Sequence, residues 1–260
     1  MNRIATTGFI AALLCCTAGQ ALGHFGMIIP EQSIITQEQK STSLTLSFSH
    51  PFENIGMDFV QPKQFTVTAN GKTSDLLSTL QPASVMGHQA WKCNYAFTRP
   101  GIYQFVMEPT PYWEAAEDLS IIHYTKTIIP AFGDDEGWDL PVGLPTEIIA
   151  LQRPFGNYAG NSFTGQVLLK GTPVAGAEVE VEFYNEGNKL RAPSDYHITQ
   201  VIKADGNGIF TFACPLAGWW GFAALNEADY TIKDPEGNEK AVEIGAVLWI
   251  YLDKLPEPQK

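Results

Sequence analysis

Five histidines occupy positions 24, 50, 88, 123 and 197, and the first stands where one residue can supply two metal donors. Asn2 and Arg3 precede an apolar run over residues 9–18, and the small residues Ala21 and Gly23 lie three and one places before His24, the pattern a signal peptidase reads. Cleavage is expected between Gly23 and His24, with cleavage after Ala21 as the alternative. An α-amine of pKa about 8 and an imidazole of about 6.5 both shed protons around neutrality. Together they close a chelate ring suited to Ni(II), Co(II) or Cu(II), whereas Ca²⁺ and Mg²⁺ prefer oxygen. A residue that simply frays in solvent is the plainer alternative for any terminus.

Two further imidazoles can converge on that terminus. His50 ends a strand-like run and shares the inward parity of Leu44, Leu46 and Phe48, and Pro51 follows it. His123 lies in Ile121-Ile122-His123-Tyr124-Thr125-Lys126, on the face opposite Ile122 and Tyr124. Each alone reads as a satisfied core histidine; their joint occurrence with His24 is what suggests a site, because ligands converge in space rather than in sequence. Glu114, in Tyr112-Trp113-Glu114-Ala115-Ala116-Glu117-Asp118, is the expected oxygen ligand or orienting carboxylate. The same run could be a short helical turn with a solvated acidic face, which is the expectation for Glu117. His88 is a weaker fourth candidate and His197 is left out. Asp134-Asp135-Glu136 lacks the spaced oxygens of a calcium loop and reads as surface charge. Trp219, Trp220 and Phe222 read as packing residues, with stacking on sugars as the alternative.

The elements that must position these side chains are strands. Leu44, Leu46 and Phe48 alternate with Thr45, Ser47 and Ser49, a period of two. Strands are expected at 65–68, ending in the Asn70-Gly71 hairpin turn, and at 91–97, 102–107, 119–129, 166–170, 179–183, 209–212 and 242–252. Glu178, Glu180 and Glu182, interleaved with Val179 and Val181, predict a solvated outer face. Sustained helical periodicity is missing, so the fold class is all-β: two β-sandwich domains, Ig-like or transthyretin-like, after a cleaved signal peptide. The expected division is a signal peptide over 1–23, an N-terminal metal-site sandwich over 24–130, a connector over 131–157 rich in Pro and Gly, and a C-terminal sandwich over 158–260.

Charge and cysteine content narrow the classes. Twenty-eight acids against 16 bases give a formal charge of −12, which argues against nucleic acid or anionic lipid and favours cationic partners. No stretch of the expected mature chain has the length of a membrane helix. Cys15 and Cys16 fall within the signal, and Leu14 ahead of Cys15 disfavours a lipoprotein. Cys93 and Cys214 remain, either as a disulfide or as two free buried thiols. There is no Gly-x-Ser-x-Gly, His-Glu-x-x-His or phosphate-binding glycine loop, so the chain is not expected to be an enzyme.

Longer runs carry a resemblance. Residues 171–212, with Gly171-Thr172-Pro173-Val174-Ala175-Gly176-Ala177 and a later Asp205-Gly206-Asn207-Gly208-Ile209-Phe210, resemble the transthyretin-like or carboxypeptidase-regulatory sandwich. Over nearly the whole mature chain, the sequence resembles the periplasmic nickel/cobalt transport components of the CbiK or NikK type, otherwise grouped as a domain of unknown function. The similarity rests on Ser49-His50-Pro51-Phe52-Glu53, Arg99-Pro100-Gly101 with Tyr103, Pro109-Thr110-Pro111-Tyr112-Trp113-Glu114, His123-Tyr124-Thr125-Lys126, Gly137-Trp138-Asp139, Arg153-Pro154-Phe155-Gly156, Gly160-Asn161 and Gly218-Trp219-Trp220-Gly221-Phe222. It implies a soluble periplasmic protein that binds Ni(II) or Co(II) and delivers it to a membrane importer. The expected ligands of that ion are His24, His50, His123 and Glu114; the alternatives are a copper-binding protein or copper oxygenase built on an N-terminal histidine brace, and an adhesion or scaffold module without metal.

Overall fold

The computed structural model describes residues 23–256. The expected signal peptide therefore lies, apart from Gly23, outside the described residues. The protein is all-β, with two short 3-10 turns at Leu77–Thr79 and Asp195–His197. The period-two runs form strands: Ser41–His50, Gln64–Ala69, His88–Ala96, Gly101–Glu108, Leu119–Ala131, Ser162–Leu169, Glu178–Phe183, Ile209–Ala213 and Val242–Asp253. Asn70 and Gly71 take φ of 51° and 71°, the left-handed pair that lets Gln64–Ala69 reverse tightly into Lys72–Asp75.

One ten-stranded sheet runs through both halves of the chain. Its centre is the parallel pairing of Leu119–Ala131 with the C-terminal Val242–Asp253, in register from Ser120 opposite Val242 to Thr127 opposite Trp249. A five-stranded sheet built on Phe25–Pro30, Ser41–His50 and His88–Ala96 packs over one half, enclosing Leu44, Leu46, Phe65, Phe105 and Ile129. A four-stranded sheet of Thr146–Ala150, Ser162–Leu169, Thr172–Pro173 and Ile209–Ala213 packs over the other, enclosing Phe163, Val179, Val181, Phe222 and Leu248. The two layered cores are thus joined edge to edge by shared backbone hydrogen bonds.

Two features depart from the sequence-based expectation. Thr146–Ala150, inside the stretch expected to be a connector, is a buried strand paired with Ser162–Leu169. Its Glu147 carboxylate sits 2.6 Å from Lys126 Nζ on the central strand and also accepts the backbone N–H groups of Val142 and Gly143, so an ion pair pins this segment to the sheet. The outer face of Glu178–Phe183 is solvated only at its start: Glu178 is exposed, Glu180 is half-buried and Glu182 is 1% exposed, because Gly23, just ahead of the opening strand, lies against Glu180 and Glu182. That strand, Phe25–Pro30, wedges between the halves, with Phe25 and Met27 against Ala223, Val247 and Trp249, and Ile28 in the other core. Cys93 and Cys214 are free buried thiols belonging to different cores.

Candidate metal centre

His24 immediately precedes the wedge strand, so the element that separates the two halves also delivers this imidazole to their seam. Its ring stacks on Phe48, with centroids 5.6 Å apart and planes 19° apart, and lies 4.6 Å from the His50 ring and 6.0 Å from Tyr112. Its Nε2 stands 3.1 Å from Glu114 Oε2. Antiparallel pairing places Phe25 opposite Ser49, which explains why His24 meets His50 at the strand end. Glu114 arrives on Tyr112–Glu114, which is a short strand paired with Leu119–Ile121 rather than a helical turn. Glu117 beyond it is exposed, as its sequence context suggests.

His50 donates from Nδ1 to the Gly23 carbonyl at 3.0 Å, which leaves the lone pair of a neutral ring on Nε2. His123 also packs on Phe48, edge-to-face with centroids 5.6 Å apart. Its Nδ1 accepts a long hydrogen bond from Gly26 N at 3.4 Å, so the proton of the neutral ring lies on Nε2. That Nε2 is buried without a hydrogen-bond partner, 3.6 Å from Glu243 Oε1. Gly26 makes this approach feasible: a Cβ there would fall 2.2 Å from Thr125 Oγ1.

Burial, followed by the neighbouring His50 and His123, holds the His24 imidazole down at about 4 against the opposing pull of Glu114 and Glu243. Burial also lowers His50, although the Gly23 carbonyl and the carboxylates of Glu53 and Glu114 resist it. At neutral pH the contact between His24 and Glu114 is therefore one of neutral imidazole with carboxylate. Both rings are in the unprotonated state that binds metals.

The C-terminal half contributes three carboxylates that sequence reasoning does not place here. Glu243 faces His123, while Glu180 and Glu182 crowd Gly23. Burial, then Glu182 and Glu243, pushes Glu180 up to about 8; burial pushes Glu182 up to about 7, although Thr199 and the Phe52 N–H bond to it. A period-two pattern locates the face these acids share but not the strand that covers it, which starts more than 150 residues earlier.

His24, His50 and Glu114 are therefore brought together, and His123 adjoins them through Phe48. Among the described residues, however, no group of three His, Cys, Asp or Glu side chains is set to enclose an ion on its own. His88 stands apart, 3.2 Å from Asp58, and His197 bonds Ser194 on the surface. Asp135 pairs with Arg153 at 3.6 Å. An open cleft of about 1250 Å³ is lined by Lys92, Tyr184, Trp219 and Tyr251 and by none of the five histidines. Trp220 is core, and Trp219 packs on Tyr251.

Among solved structures, the D0–D1 domain of intimin aligns over 88% of this chain and 100% of its own at 11% identity, with a TM-score of 0.22. A two-domain fibronectin type III segment from chicken tenascin aligns over 85% of this chain and 97% of its own at 13% identity, with a TM-score of 0.22. Titin Ig tandem domains align over 90% and 100% at 9% identity, with a TM-score of 0.21. No curated protein matches. The family model described as a domain of unknown function, DUF4198, matches residues 21–228, and the chain belongs to that family.

Proposed function

We propose that the protein captures a transition-metal ion, Ni(II) or Co(II), in the periplasm and passes it to a membrane importer, without turnover of a substrate. The observation that carries this is the contact of His24 with both His50 and Glu114 at the seam of the fold. Hydrolysis of the Gly23–His24 bond would add the α-amine of His24 to its own ring, the His50 ring and the Glu114 carboxylate, a donor set of borderline softness that suits Ni(II), Co(II) or Cu(II). His123 packs on Phe48 beside the set and ligates only by giving up its bond from Gly26. The low basicity of His24 and His50 favours the reading, since protons then compete weakly with the ion. Surrounding acids balance a divalent charge and draw cations inward.

Equilibrium dialysis of protein beginning at His24 against Ni(II), Co(II), Cu(II) and Zn(II) tests this. One equivalent of nickel or cobalt is expected to bind, sharply weakened by one extra residue ahead of His24; affinity indifferent to that residue would remove the terminus from the site. Cu(II) will bind tightest in any such nitrogen-rich site, so tight copper alone decides nothing. Oxygen-dependent turnover of a polysaccharide by the copper form would identify an oxygenase, and failure to bind any of the four ions would leave an adhesion or scaffold module.

A further inference from the structure

Glu180 and Glu182 present carboxylates to the inner side of the chain where it enters the wedge strand. A Cβ built on Gly23 would lie 2.9 Å from Glu182 Oε1 and 3.0 Å from Glu180 Oε2, so both oxygens touch this glycine. Glu182 is almost completely buried, and among the described residues neither carboxylate is paired with a Lys or Arg; the nearby Lys203 pairs with Glu178 instead. Two adjacent carboxylates withdrawn from water without a cation are costly unless something positive joins them. One imidazole marks the same spot, since His50 Nδ1 donates to the Gly23 carbonyl.

The nitrogen of His24 is bonded to the Gly23 carbonyl carbon and so borders this space. Hydrolysis there breaks one C–N bond, gives the hydroxyl of water to the departing Gly23 carbonyl carbon and its proton to the His24 nitrogen, and vacates the volume that Gly23 fills; the new carboxylic acid then ionises and its proton makes the amine an ammonium. We propose that Glu180 and Glu182 are the seat of the α-amine so created, holding it as an ammonium beside its own imidazole until an arriving ion displaces the proton and takes the nitrogen lone pair. They are positioning residues for the metal-capturing terminus proposed above, and the inference rests on that cleavage site. The C-terminal half of the fold thereby acts on a site whose other ligands come from the N-terminal half.

The test uses protein beginning at His24 in two forms, with the amine free or acetylated; an acetyl group restores the Gly23 carbonyl and removes the charge. Glu182→Gln and Glu180→Gln are melted in each form at pH 8 with a chelator present. With the free amine, each substitution is expected to lower Tm by about 2–4 °C for every ion-pair increment of ordinary size. With the acetylated amine, the same substitutions should leave Tm unchanged or raise it, because an uncompensated buried charge is lost. Equal shifts of the same sign in both forms would overturn the proposal. Should Glu182→Gln fail to fold, Glu180→Gln carries the comparison alone, since no hydrogen bond contributes to its environment. Nickel titration of the same proteins separates the two ideas: the Tm contrast without nickel uptake removes the metal and keeps the seat, and nickel uptake without the contrast removes the seat and keeps the metal.

Discussion

His123 and Gly245 are register partners across the parallel pair at the centre of the large sheet, and the imidazole occupies the space a side chain at 245 would need. A Cβ on Gly245 would fall 2.4 Å from His123 Cδ2 and 2.7 Å from Nε2. Gly245→Ala must therefore displace the ring. The expected cost is about 1–3 kcal/mol in urea unfolding, the range for overfilling a packed site. At an unobstructed strand position the same change would stabilise by about 0.5–1 kcal/mol, so the sign alone tells whether His123 is seated as described.

Lys126, on the opposite face of the same strand, is held by Glu147 at 2.6 Å with both side chains almost fully buried. Burial lowers the lysine ammonium, and the Glu147 carboxylate resists that shift. Glu147→Gln leaves a buried cation without its counter-charge and is expected to cost about 3–5 kcal/mol. Lys126→Met combined with Glu147→Gln should recover much of that loss, because no charge is buried and the amide oxygen can take the place of Oε2, accepting from Gly143 and Leu144. A double variant as unstable as Glu147→Gln alone would show that packing, not charge, dominates there.

The strands were legible because burial on one face writes a period of two into the sequence, as in Leu44, Leu46 and Phe48 or Val179 and Val181. His50 could be placed by parity with Phe48, and Asn70-Gly71 by the φ values its turn requires. The pairing of Leu119–Ala131 with Val242–Asp253 was not legible, since two apolar strands more than 100 residues apart carry no mark of being neighbours. Glu180 and Glu182 misled for the same reason: alternation with valine tells which way they point, and only the arrival of Gly23, from far earlier in the chain, makes that direction an interior. Thr146–Ala150 was hidden among Pro and Gly because its anchor, the Lys126 ammonium, is a tertiary contact.

Stability against pH should show two opposed limbs in the acetylated protein. His24 is depressed to about 4 in the folded chain against an ordinary 6.5, so its contribution is complete above about 6.5 and is lost as pH falls toward 4. Glu180 and Glu182 are raised to about 8 and about 7 from 4.5, so theirs is complete below 4.5 and is lost as pH rises through 7 and 8. With two carboxylates set against one imidazole, these groups place the peak in melting temperature at about pH 4, with a long decline as pH rises through 7 and 8. Glu180→Gln should flatten the alkaline limb and His24→Gln the acid limb. Alkaline limbs of equal slope in the parent and in Glu180→Gln would place the titrating group elsewhere.

Substitution of the clustered residues one at a time should grade nickel affinity by how directly each touches the proposed ion. His24→Ala removes the imidazole of the chelate and is expected to abolish measurable binding in dialysis. Glu114→Gln keeps shape and a neutral acceptor 3.1 Å from His24 Nε2 while removing the charge of the proposed oxygen ligand, and a loss of about 100-fold or more is expected, at or beyond the top of the roughly 10-fold to 100-fold range for groups that only orient ligands. His123→Gln should fall within the same range, because Nδ1 of His123 is already engaged by Gly26 N. His88→Ala, whose ring pairs with Asp58 at 3.2 Å on a separate hairpin, should leave affinity unchanged. A His88 effect equal to that of His24 would mean that histidines bind nickel indiscriminately on the surface, and the seam would lose its claim to be the site.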